Sequence, residues 1–300
     1  MKGGIKFIFF IGILAVPYLE CHAAQVRQQK RGAPAYTLQE YNSYNESIAP
    51  KGPEQRIKNL DQFEKWYPHS VLLRYADQAY LAAYTQLKNY PKMIEYADKT
   101  LSYENQLDAV QKLEVISART TAFLYSYDEK VEATDPGLPK ARDAAKEGLA
   151  LLDKIAKPAT ESQEQFDHKK RMARAFYETA IGMASLALKD NPAAVSAFEA
   201  AYTDNPDDAT TAYRLGIAYL KFAPPNYMDG FWSLARVVAL KGSMQTQAKA
   251  YLRAQIQNYQ QCGCDSLTDS QVDDSNCGSG EDAQAPRWLH NSKCPRPSED

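Results

Sequence analysis

Apolar side chains recur along this chain at helical spacing. Ile57, Leu60 and Phe63 step along one face before Trp66, Tyr67 and Pro68 end the run. Tyr80, Tyr84 and Ile94 continue the pattern, and Pro91 to Leu101 opens with a proline in its first turn, where the missing N–H costs nothing. Asp108 to Ile155 carries two further periodic stretches. Between them, Tyr125 to Pro139 contains the turn signal Asp135-Pro136-Gly137. Ser243 to Gln260 is amphipathic, with Ala248, Tyr251 and Leu252 on one face. The pattern predicts an all-α protein.

The periodicity is most regular from Ala175 to Lys221. With Ala175 as position 1, Gly182, Ala194 and Ala201 hold positions 8, 20 and 27, Phe198 holds position 24 and Pro206 position 32. The count restarts at Ala209, which places Leu215, Gly216, Ala218 and Tyr219 at positions 7, 8, 10 and 11. Small residues at 8, 20 and 27 let two antiparallel helices approach closely, Phe198 fills the gap beside them, and Pro206 ends the second helix. These residues are read as packing, since Gly, Ala and Phe bring no reactive group.

This arrangement resembles the tetratricopeptide repeat (TPR) family, and more particularly exported bacterial TPR proteins. The resemblance implies a superhelical solenoid of about five helix pairs over 38–260, closed by a polar-faced capping helix from Ser243. A first repeat runs from Leu38 to Pro68, a second starts at Arg74, and a third covers Asp108 to Ile155. A fourth starts at Ala175 and a fifth at Ala209. The fifth is interrupted by Ala223-Pro224-Pro225, after which Gly230, Leu234 and Val237 take up second-helix roles with a shift of about two residues. The resemblance also implies that the first helices of each pair line a concave surface. Carried over, the lining is Tyr41, Asn45 and Ile48, then Tyr75, Gln78 and Thr85, then Phe176, Thr179 and Met183, then Tyr213, Ile217 and Lys221. Lys and Asn are missing at the positions that clamp a C-terminal carboxylate in some family members. A peptide lying on tyrosine and amide groups suits this surface better.

The two ends read differently. Lys2 and Lys6 precede an apolar run from Phe7 to Val16, and Ala23 and Ala24 follow, the pattern of a secretory signal peptide over 1–24. Residues 25–37 form a linker. Glu20 stands where lipid attachment at Cys21 would want a small residue, so lipid anchoring is disfavoured and a periplasmic or secreted location is expected. No stretch is long and apolar enough to span a bilayer. The remaining cysteines, Cys262, Cys264, Cys277 and Cys294, all lie in an acidic tail, 261–300, that is rich in Ser, Asp, Gly and Pro. In an exported chain four cysteines are read first as two disulfides, with three connectivities open. Unpaired thiols and a zinc site with His290 are the alternatives, although the spacings match no established zinc motif.

The formal net charge is −2, and the segment from 25 to 261 is close to neutral. Nucleic-acid binding, which needs a concentrated basic face, is not expected. Neither is an enzyme or a cofactor. No nucleophile–base pair, metal-ligand motif or phosphate loop appears, and Glu161, Glu164 and Asp167 recur as ordinary exposed-helix charges. The reading is a non-enzymatic scaffold in the cell envelope that binds a protein or peptide on its concave face. The alternative is a structural subunit of an envelope or outer-membrane assembly complex.

Overall fold

A computed structural model describes residues 35–50, 52–103 and 106–261. Among them all regular secondary structure is helical, in eleven helices. The chain divides into two compact units between Ser126 and Tyr127, inside the segment read as the third repeat. The signal segment, most of the linker and the four tail cysteines lie outside the described residues.

The first unit holds α1 (Leu38–Ile48), α2 (Pro53–Trp66), α3 (Leu73–Leu87), α4 (Tyr90–Leu101) and α5 (Ala109–Ser126). Each packs on the one before it, and α1 also reaches α3. A capping box starts α1: Thr37 Oγ1 accepts from the Glu40 N–H at 3.1 Å, and the Glu40 carboxylate accepts from the Thr37 N–H at 2.6 Å. Pro53 opens α2, where its absent N–H would have no partner anyway. Leu60, Phe63, Ala76, Tyr80, Met93 and Ala97 are almost completely buried between these helices. Arg119 of α5 is buried as well, and its Nε donates to Asp98 of α4 at 2.5 Å. Losing Asp98 would leave a buried guanidinium uncompensated, which costs more than the pair itself contributes.

The second unit holds α6 (Gly137–Leu152), α7 (Gln163–Ala187), α8 (Asn191–Asp204), α9 (Ala209–Leu220), α10 (Tyr227–Ala239) and α11 (Gln245–Gln261). Successive helices pack on one another, and α7 also touches α9. The tight turn from α7 to α8 uses the same device as that from α3 to α4. Lys88 and Lys189 take left-handed φ of 53° and 62°. Asn89 and Asp190 then cap the next helix, accepting from Lys92 N and Ala193 N at 3.3 Å each. A proline, Pro91 or Pro192, sits in the first turn that follows.

Of the eight residues read as packing, six are buried. Ala194, Phe198, Ala201 and Leu215 are buried, as are Gly182 and Gly216. Pro206 is exposed in the turn after α8. Tyr219 is half-buried and donates its hydroxyl to Glu199. A Cβ placed on Gly182 would meet the Phe198 ring at 2.6 Å, so a side chain there would push α7 off α8. A Cβ on Gly216 would lie 2.8 Å from Leu234 Cγ and 3.1 Å from the Gly230 carbonyl. Despite the Pro224-Pro225 interruption, Gly230, Leu234 and Val237 are all buried in α10. The amphipathic stretch near the C-terminus forms α11, which packs on α10 with Ala248, Leu252 and Ile256 buried.

One boundary differs from the repeat reading. The pattern starts at Ala175, but α7 begins twelve residues earlier, at Gln163. Ser162 is the reason: its Oγ accepts from Gln165 N at 3.2 Å and the Gln165 side chain accepts from Ser162 N at 3.2 Å, a second capping box. The added turns are held on their polar side by Lys169–Glu161 at 2.7 Å and Lys170–Asp153 at 3.0 Å. Replacing Ser162 with Ala is expected to cost about 1 kcal/mol in urea unfolding. A helix that began only at Ala175 would leave the midpoint unchanged.

Candidate partner-binding site

Most of this chain's tyrosines are first of all packing groups. Tyr80, Tyr84 and Tyr96 stack between α3 and α4, with Tyr80 and Tyr96 centroids 4.5 Å apart. Lys99 Nζ lies 4.3 Å above the Tyr96 ring. The Tyr80 hydroxyl donates to Asp61 at 2.7 Å. Burial pushes the Tyr44, Tyr80 and Tyr96 hydroxyls far above their usual range, and Asp61 adds to the effect at Tyr80.

Against that background, the twelve residues read as a concave lining separate into three groups. In the first unit, Tyr41 of α1 and Tyr75 of α3 lie on either side of buried Tyr44 in sequence and both act on its hydroxyl. Tyr41 stacks on Tyr36 at 5.7 Å, while Tyr75 lies 6.3 Å from Tyr44. Tyr75 also carries Arg74 at 4.5 Å over its ring and accepts a 2.6 Å hydrogen bond from it. Asn45, Ile48, Gln78 and Thr85 are half-buried nearby in sequence, with Thr85 donating back to the Leu81 carbonyl. In the second unit Phe176 and Ile217 are half-buried and Lys221 is exposed.

The remaining three are corrected by the structure: Thr179, Met183 and Tyr213 are buried, at 3, 2 and 6% exposure, and form no open lining. Thr179 meets Thr211 of α9, with their hydroxyls 3.1 Å apart. Tyr213 is covered by α11, where the Tyr251 ring stands edge-on at 6.0 Å and Gln247 Nε2 donates to the Tyr213 hydroxyl at 3.2 Å. Flanked by α6, α8 and α9, the C-terminal half of α7 has little circumference left for solvent, and Thr179 to Leu186 is buried without a break.

Another open surface, partly apolar, lies elsewhere in the first unit. An open groove between α1 and the end of α2 is lined by Leu38, Gln39, Asn42, Ser43, Glu46, Trp66 and Tyr67. Leu38 is 75% exposed and Trp66 62%, the two most exposed large apolar side chains described. They share this one groove. Steps of three residues from Ile57 through Leu60 and Phe63 drift around a helix of 3.6 residues per turn, so Trp66 arrives at the edge of the apolar stripe. Phe63 is buried while Trp66 points into the groove. The walls mix an indole, a phenol and a leucine with two amides, a serine hydroxyl and one carboxylate. That composition binds by apolar contact with polar registration and offers no nucleophile–base pair.

Among the described residues no group of three His, Cys, Asp or Glu side chains is placed to hold a metal ion. None of the described helices is long and apolar enough to cross a membrane. Comparisons with family models, with curated proteins and with solved structures found no match to this chain.

The electrostatics of the first unit carry a test of this packing. Tyr103 donates to Asp77 at 3.0 Å, and burial with the Asp77 charge pushes its hydroxyl up to about 12. A raised pKa in the folded state means stability that is present below the unfolded value near 10 and lost as pH climbs through about 12. The urea midpoint should therefore fall across that window, and Tyr103→Phe should make the fall shallower. An identical slope in the variant would remove Tyr103 from the account.

Proposed function

We propose that this protein is a non-enzymatic scaffold of the TPR type, exported to the cell envelope, that holds a protein or peptide partner in the groove between α1 and α2. The observation that carries the reading is that Trp66 and Leu38 are both left exposed and both line one groove edged with amides. An exposed tryptophan forgoes the burial of a large apolar group, and Trp is enriched at interfaces, where that group is covered by a partner. Tryptophan is also the residue type most enriched among those that dominate binding energy.

The repeat assignment draws on two glycines 34 residues apart, Gly182 and Gly216. Each faces a bulky residue of the following helix, Phe198 and Leu234, at a distance no Cβ could share. Export rests on the signal-like first 24 residues. The binding surface differs from the concave lining that the family resemblance implies. Three of those lining residues are used in packing, whereas the groove residues of α1 lie on another face of that helix from Tyr41 and Asn45.

The test is affinity capture from an envelope extract with wild-type protein and with Trp66→Ser, both checked for equal helicity by circular dichroism. A partner retained by wild type and lost with Trp66→Ser is the expected result. A parallel Tyr41→Ala, Tyr75→Ala variant should retain it. Loss with the tyrosine variant alone would return the binding surface to the lining first read from the sequence. Equal recovery with all three proteins would remove both surfaces from the account.

A further inference from the structure

The groove between α1 and α2 has two chemically different ends. Ser47 Oγ donates to the Asn59 carbonyl at 3.2 Å, and the Tyr44 and Phe63 rings lie 5.8 Å apart. Those two contacts make α2 run back antiparallel along α1, and the same register carried on sets Trp66 level with Glu40 and Tyr41. Leu38 and Trp66 therefore form the apolar end of the groove. Glu46 stands about 8 Å further along α1, at roughly 1.5 Å of rise per residue.

Glu46 is exposed and is the one charged side chain among the seven that line the groove. It lies in the last turn of α1, which holds no basic residue. The last carbonyls of a helix carry a partial negative charge, so the dipole adds to the carboxylate there. The cations of α2, Arg56, Lys58 and Lys65, do not line the groove, and Arg56 donates to the Pro50 carbonyl at 3.0 Å. Glu40, the other acid of α1, is held in the capping box at the helix start. Gln39, Asn42 and Ser43 share one face of α1 with Glu46. Their side chains make no hydrogen bond among the described residues, which leaves two amides and a hydroxyl for an incoming main chain.

We infer that this groove selects an extended peptide segment carrying a large apolar residue and, two residues away, a lysine or arginine. An extended chain rises about 3.3 Å per residue and points alternate side chains to the same side. Two residues span about 7 Å, and a long cationic stem covers the rest of the way to Glu46. Leu38 and Trp66 cover the apolar side chain, the amides bond the main chain, and Glu46 pairs with the cation. This preference rests on the groove being the binding surface proposed above, and adds a charge and a spacing to it.

The probe is an end-capped heptapeptide of serines with phenylalanine at its third position and lysine at its fifth. Two companions carry glutamate in place of the lysine, or the lysine moved next to the phenylalanine. Each is titrated into the isotope-labelled full chain while the Trp66 indole N–H is followed by NMR, its resonance assigned as the one missing from Trp66→Ser. A saturable shift is expected with the first peptide, and affinities about two- to fivefold weaker with both companions. Glu46→Gln should remove the preference for lysine over glutamate, and Glu46→Lys should reverse it. Glu46 is exposed, so both variants leave the helix pair intact. Equal affinity for the lysine and glutamate peptides, or a preference that survives Glu46→Lys, would overturn the charge selection while leaving the groove as a binding surface. Equal affinity for the adjacent-lysine peptide would overturn the spacing. No shift of Trp66 with any peptide at millimolar concentration would overturn the inference whole, and the groove itself would then be judged by the envelope capture with Trp66→Ser.

Discussion

The closest approach between paired backbones sets the rest of this structure. At Gly182 the missing Cβ gives the Phe198 ring its seat, and at Gly216 and Gly230 two backbones meet with neither side chain between them. A ring in a glycine notch fixes translation along both helices at once, because a shift of one residue would drive the ring into a Cβ. Interiors packed to this density transmit such constraints instead of absorbing them. Once α7 is seated on α8 and α9 on α10, the faces left over are determined. Thr179 and Thr211 then meet, and α11 has a defined apolar surface to close.

Tyrosine makes the first unit a different kind of core. Where the second unit seats Phe198 and Leu234 on Gly182 and Gly216, the first stacks Tyr80, Tyr84 and Tyr96 and gives the Tyr80 hydroxyl to Asp61. A buried phenol needs that acceptor, since an unmade hydrogen bond would offset much of what ring burial contributes. The arrangement places oxygen atoms and charges at the margin of the core. Lys92, Glu95 and Lys99 accordingly cover the cluster from α4. It also separates tyrosines that hold the fold from aromatic groups left for recognition, of which Trp66 is the clearest.

The helical class, the end of α8 before Pro206 and the buried roles of Gly182, Phe198, Ala201 and Gly216 were legible because period and residue type alone decide them. The glycine at 148, whose missing Cβ seats Tyr177 at 2.5 Å, was not read, because the irregular third repeat hides the register that would mark it. The start of α7 was missed because the repeat pattern begins at Ala175, while the Ser162–Gln165 capping box that starts the helix lies ahead of it. Thr179 and Met183 were read as lining from their repeat positions. The run from Thr179 to Leu186 carries no charged residue and is apolar nearly all round, the mark of a helix buried on every side. Trp66 looked like the end of an apolar run, and only the drift of its spacing tells that it leaves the core.

A double-mutant cycle at Gly182 and Phe198 tests the seating of ring in notch most directly. In the wild-type background, Gly182→Ala should destabilise by about 1–3 kcal/mol, since overpacking outweighs the better helix propensity of alanine. With Phe198→Leu already in place the clash is relieved, and the same substitution should become neutral or stabilising, a coupling of about 1 kcal/mol or more. Strictly additive effects would contradict the account, because they would mean that residues 182 and 198 do not share the space on which the helix pair is built.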